Sequence, residues 1–377
     1  MLRFPVRRLL FLVAIFAGGA IVLAAPAADR PASIPFPDGI AASDGKTAFV
    51  INADGGIDAI DLAKGELLWD TKEAMKPLAL KGELLLAQTF VKDKGNQLRL
   101  VVLDVDKKGK KQSESDPVIF PDWAGVAATG QGSSFFTRAR IDKNDFYLFW
   151  DAHRWYYGGA APTPEILKAA KKDEAGVARI NLGSGKVEML AKDKVPDLDP
   201  KLPKELEKIE SQQYWTGSDW LKKPLIAGDK AAGLAVKQDG DNQTLMLKRW
   251  ELSTGKELEA KELLKGKSLW PQIGLDGKHV FVHQALVKEQ LVEGDYAWWV
   301  FDLVSGEQVA KLPYETTESP TVLGRRLYYA LVKPAKGGGP GFGVMEQPRA
   351  LKAVDLKTGK VEWERPLAPR KFYAPPP

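Results

Sequence analysis

Few residues in this chain carry chemistry. It has three His and no Cys. His279 and His283, in "KHVFVH", flank Phe281. On a strand all three share one face, but positions i and i+4 lie roughly 13 Å apart, too far for one metal ion. His153 is alone. Asp193, Asp197 and Asp199 are of the type that binds Ca²⁺, yet their stretch lacks the Gly and closing Glu of a calcium loop. It reads as a solvated loop. There is no Gly-x-Ser-x-Gly elbow and no phosphate-binding loop, and "SPTVLG" and "GQGSS" have no His base nearby. No catalytic, cofactor-binding or metal residue is assigned, and no cofactor is expected.

The start of the chain reads as an export signal. Arg3, Arg7 and Arg8 precede the apolar run "LLFLVAIFAGGAIVLAA" and the small residues Ala25 and Ala27. The alternative is an uncleaved anchor, which would be the chain's only membrane contact. Either way the chain is expected to be secreted or periplasmic. Lacking Cys, it has no disulfide and no lipidated Cys. The formal charge is +5; without Met1 to Ala27 it is 51 bases against 49 acids, which gives no basis for a nucleic-acid partner.

The elements that position everything else come from a repeated phrase. "AIDLAKGELLW" (59–69) and "AVDLKTGKVEW" (353–363) both read Ala-x-Asp-x-x-x-Gly-x-x-x-Trp. Weaker copies are "ARINLGSGKVEML", "RWELSTGKELEA", "VFDLVSGEQVAKL" and the looser "VLDVDKKGKKQ". The glycines fall at 65, 109, 185, 255, 306 and 359, in steps of 44, 76, 70, 51 and 53. A period near 50 with two insertions of about 20 to 25 residues predicts a propeller or solenoid. Each copy reads as a hairpin in which Gly supplies positive φ and the acidic or Asn residue accepts hydrogen bonds from turn N–H groups. The predicted turn residues are Asp61, Gly65, Asp104, Gly109, Asn181, Gly185, Glu251, Gly255, Asp302, Gly306, Asp355, Thr358 and Gly359, with Trp69 and Trp363 after them. Apolar runs such as "KTAFVIN" and "RRLYYALVK" add strands, about four per repeat, which is one blade.

The phrase Ala-x-Asp-x-x-Thr-Gly-Lys-x-x-Trp resembles the blade motif of the quinoprotein-type β-propellers, the PQQ-like repeats. Ala353, Asp355, Thr358, Gly359 and Trp363 match throughout, and the first copy has Lys64 in place of Thr. The resemblance implies an all-β propeller of four-stranded antiparallel blades, six blades, with seven or eight as alternatives. It also implies that each Trp docks on the neighbouring blade. Three copies have Met189, Glu259 and Ala310 at that place, so their blades must pack with something else. Enzymes of the family bind pyrroloquinoline quinone beside Ca²⁺, often with a vicinal Cys pair, which is impossible here.

The expected domains are a signal peptide (1–27), a linker (28–37), the propeller (38–367) and a disordered Pro-rich tail (368–377). "PASIPFPDGIAASDG" is expected to close the ring by pairing with the last repeat. "TPEILKAAKK" and "PKELEKIES" predict short helical insertions. Trp155, Tyr156, Tyr157 and Phe342 are candidate partner loops, with a hydrophobic plug as the alternative for the aromatic run beginning at Trp150. The expected function is a non-catalytic scaffold binding an envelope protein or surface polymer, by analogy with the propeller component of the outer-membrane protein assembly machine. The alternatives are a quinone- and Ca²⁺-dependent periplasmic dehydrogenase and a carbohydrate-binding or polysaccharide-cleaving propeller.

Overall fold

The computed structural model describes residues 33–92, 94–121, 131–156, 174–191, 194–196, 225–227, 229–267, 269–284, 297–313, 317–332 and 344–373. They form six antiparallel sheets in chain order, and none of them is α-helical. The first sheet holds β1 (Ser33–Phe36), β2 (Gly39–Ala42), β3 (Thr47–Ile51), β4 (Ile57–Asp61) and β5 (Leu67–Thr71). The second holds β6 (Lys76–Lys81), β7 (Leu84–Val91), β8 (Lys94–Asp104), β9 (Lys110–Glu114) and β10 (Val118–Ile119); the last two share β8 as partner. The third is β11 (Gln131–Asp142), β12 (Asp145–Tyr156), β13 (Glu174–Asn181) and β14 (Val187–Leu190). The fourth is β15 (Leu225–Ala227), β16 (Lys230–Asp239), β17 (Asn242–Glu251) and β18 (Lys261–Lys267). The fifth is β19 (Leu269–Ile273), β20 (His279–Gln284), β21 (Ala297–Asp302) and β22 (Gln308–Pro313). The sixth is β23 (Thr317–Leu323), β24 (Arg326–Val332), β25 (Val344–Asp355) and β26 (Val361–Tyr373).

Strand alternation explains why these sheets stack face to face. Successive side chains point to opposite faces, and the middle strands are apolar on both. In β7, Leu85 and Ala87 enter the core between the first and second sheets, while Leu86 enters the core between the second and third. In β20, Val280 and Val282 face the fourth sheet and Phe281 faces the sixth. In β24, Leu327 and Tyr329 face the fifth sheet, while Tyr328 and Ala330 face the first. The last sheet therefore packs on the first. Face-to-face packing of the first sheet on the second, the second on the third, the fourth on the fifth, the fifth on the sixth and the sixth on the first makes the fold an all-β propeller. Each fully buried Leu or Phe contributes about 1.5–3 kcal/mol. The outermost strands carry the exposed positions, as in β14 and β18.

Two boundaries differ from expectation. The linker stretch 28–37 contains β1, which pairs with β2 in the first sheet, not with the last repeat. "PDG", Pro37 to Gly39, makes the turn between them, with Asp38 at φ 57°. β1 touches both neighbours by side chains: Ser33 Oγ accepts from Leu80 N–H at 3.0 Å, and Phe36 meets the Tyr328 ring at 5.2 Å. The ring is closed at this seam by packing of β1–β5 on β23–β26, with no shared sheet. At the other end the strand continues past 367, since β26 runs to Tyr373. Pro366 and Pro369 are tolerated because β26 is an edge strand. The predicted leader and the predicted helices at 163–172 and 203–211 lie outside the described residues.

Candidate functional site

The polar residues of the repeat converge on six turns. All six glycines have φ between 67° and 73°. Each donates its N–H to the carbonyl of the Asp, Asn or Glu that opens the turn, at 2.7–2.8 Å. That residue's side chain then caps the turn. Asp61 Oδ1 accepts from Ala63 and Lys64 N–H, Asn181 Oδ1 from Gly183 and Ser184, Asp302 Oδ1 from Val304 and Ser305, and Asp355 Oδ1 from Lys357 and Thr358. Asp104 accepts from Lys107 N–H at 3.0 Å. The Lys107 ammonium, the Gln112 amide and that N–H hold its carboxyl down to about 2. Asp355 is held below the usual range, first by Thr358 N–H. Glu251 departs from the pattern: its side chain accepts from Thr254 Oγ1 at 2.6 Å.

The predicted Thr358 belongs to a wider pattern, and a second repeat position, the residue after the cap, joins it. A hydroxyl stands before Gly in four copies, and Ser184, Thr254, Ser305 and Thr358 all donate it to the capping side chain. The residue after the cap is always Leu or Val. Leu62, Val105, Leu182, Leu252, Leu303 and Leu356 each donate N–H, at 2.7–3.1 Å, to the residue just before the sheet's next-inner strand. The signal was a recurring acidic-or-amide-then-Leu pair.

The tryptophans join one sheet to the next. A Cβ added at Gly109 would lie 2.5 Å from the Trp69 ring, and one at Gly65 would lie 2.5 Å from the Trp363 ring. Where the Trp is missing, other groups cover the next glycine. They are the Glu114 carbonyl at Gly185, the Lys261 stem with Leu247 at Gly306, and Leu312 at Gly359. Leu312 stands two residues beyond Ala310 on the same face of β22, and Lys261 opens β18 two residues beyond Glu259.

Several polar bonds cross the seam between the last and first sheets. Tyr328 Oη and Trp363 Nε1 both donate to Leu62 O, at 3.1 and 3.2 Å. Arg349 pairs with both oxygens of Asp38, at 2.9 and 2.8 Å, and Arg365 with Asp58 at 2.7 Å. Burial pushes the Tyr328 phenol up to about 12.

The expected chemistry carriers are placed as follows. His279 Nδ1 lies 3.1 Å from Asp276 Oδ2, which also accepts Val322 N–H at 2.7 Å and so ties the fifth sheet to the sixth. Burial opposes the Asp276 charge, but these hydrogen bonds outweigh it and hold its carboxyl below the usual range. His283 packs against Trp298 with ring centres 5.2 Å apart. Among the described residues no group of three His, Cys, Asp or Glu is placed to hold a metal. Asp193, Asp197 and Asp199 lie outside the described residues. Trp155 and Tyr156 sit at the end of β12, backbone-paired with Gly132 and Gln131, and not in a loop. Tyr157 and Phe342 lie outside the described residues. Trp150 is buried against Phe120 at 5.4 Å, so this member of the aromatic run is core.

No family model and no curated protein matches the chain. Solved structures similar to it include the dihydro-heme d1 dehydrogenase NirN in complex with DHE, at 15% identity and TM-score 0.31, covering 91% of this chain and 68% of that one. A europium-containing methanol dehydrogenase aligns at 11% identity and TM-score 0.25, over 90% and 80%. The Dos1 propeller aligns at 10% identity and TM-score 0.24, over 86% and 67%. Likeness of this degree carries nothing about activity.

Proposed function

We propose that the chain is an exported, non-catalytic β-propeller scaffold that binds another envelope protein or a surface polymer through its loops. What supports this reading is how the repeat's polar residues are used. Asp61, Asp104, Asn181, Asp302 and Asp355 all cap their own turns. Trp69 and Trp363 lie on neighbouring turns. The residues that define the repeat serve architecture, which leaves recognition to the segments between repeats. The aromatic segment ending at Tyr157 and the Gly-rich segment holding Phe342 are the proposed contact points.

Site-specific photocrosslinking in the intact cell envelope tests this. Probes at positions 157 and 342 are compared with one at Lys360, an exposed turn residue of the last sheet. The expected result is one dominant product from position 157 or 342 that is missing at 360. The same diffuse pattern at all three positions would contradict the proposal.

A further inference from the structure

Besides β9, where Ser113 stands opposite Val102 and the Glu114 carbonyl covers the next glycine, Gly185, three outer strands pair in the same register with their neighbour. Trp69 stands opposite Ala59, Trp363 opposite Ala353, and Ala310 opposite Val300, each beside the same register shift. In the first two an indole reaches over the next sheet's turn glycine. In the third no indole exists. A Cβ added at Gly359 would meet only Leu312, at 3.5 Å. The space over Gly359 is a cavity of about 100 Å³, walled by Phe281, Trp298, Leu312, Leu327 and Tyr329.

We infer that this cavity between the fifth and sixth sheets binds a neutral aromatic ring of indole size. It stands where the repeat elsewhere places the indole of its own chain. These five walls are 1–6% exposed, which fixes their positions, and among the described residues no charged side chain lines the cavity. At about 100 Å³ it is smaller than the apolar cavities of about 150 Å³ that stay dry and take up benzene, so an indole-sized ring must project through the open rim formed in part by Val361, which is 51% exposed. Trp298, already edge-on to Phe281 at 5.8 Å, offers an aromatic wall. The inference is independent of the scaffold reading, since it rests on the comparison of seams within the fold.

The test is calorimetric titration of the full chain with indole and, separately, with N-acetyl-tryptophanamide. Saturable one-site binding of either is expected. Ala310→Trp, which supplies the ring from the chain itself, should weaken it at least tenfold and raise the melting temperature. Val361→Trp, at the exposed rim, should weaken it as well and decides the matter if Ala310→Trp does not fold. Binding of indole alone would mean a free aromatic ligand. Binding of the amide as well would mean a tryptophan presented by a peptide. No binding of either, or affinity unchanged in the variants, overturns the inference.

Discussion

The indole of Trp363, in the last sheet, rests on Gly65, in the first, and donates its N–H to the carbonyl of Leu62 at 3.2 Å. Two residues almost 300 positions apart thus hold the seam at which the ring closes. The glycine is needed twice, for its φ of 72° and because any Cβ would strike the ring.

A double-mutant cycle follows from that contact. Trp363→Ala should cost about 3 kcal/mol, the lower end for buried aromatics because the ring is only half-buried. Gly65→Ala should cost about 1–2 kcal/mol for its φ alone, and more in wild type because the ring must move. Without Trp363 only the φ part remains. Denaturant melts should therefore give a coupling of about 1 kcal/mol or more. Strict additivity would remove the contact from the account.

Gly359 should behave differently. Its φ is 68°, but Leu312 leaves room for a Cβ. Gly359→Ala should cost only the backbone term, about 1 kcal/mol, while Gly359→Val should cost more because a β-branched residue resists this φ. Equal losses for Gly359→Ala and Gly65→Ala would contradict the packing difference between the two seams.

Tyr328 gives the alkaline limb. Its folded pKa is raised to about 12 from 10, so the unfolded chain loses the proton first. Its contribution is complete below about pH 10 and is lost as pH rises from 10 towards 12. Tyr328→Phe should flatten that limb. At neutral pH it should cost only about 1 kcal/mol, because Leu62 O keeps the Trp363 donor. An alkaline limb unchanged in Tyr328→Phe would refute the assignment.

Asp104 gives part of the acid limb. Its folded pKa is lowered to about 2 from 3.8, so its contribution is present above about pH 4 and fades as pH falls towards 2. Asp104→Asn should reduce stability at pH 7 and leave a shallower acid loss, measured by melts across pH 2–7. An acid limb of unchanged slope would assign the effect elsewhere.

The turns were legible in the sequence because their chemistry admits few residue types. Positive φ selects Gly, and capping selects Asp or Asn, with Glu251 as the looser copy. The docking groups were legible only where they are Trp. At three other seams a leucine, a lysine stem or a carbonyl covers the next glycine, and their sequences share no letter. The pairing of β1 was not legible, because a strand added within the first sheet closes the ring as readily as one shared with the last. The continuation of β26 was hidden by Pro366 and Pro369, which mark tails as often as edge strands.

The most direct test of the scaffold account is a thermal melt of the chain with and without pyrroloquinoline quinone and Ca²⁺. A ligand at 100 times its dissociation constant adds about 2.7 kcal/mol to the folded state. The account predicts coincident melts at every quinone concentration. A concentration-dependent upward shift would contradict it and make the chain a quinone-binding propeller.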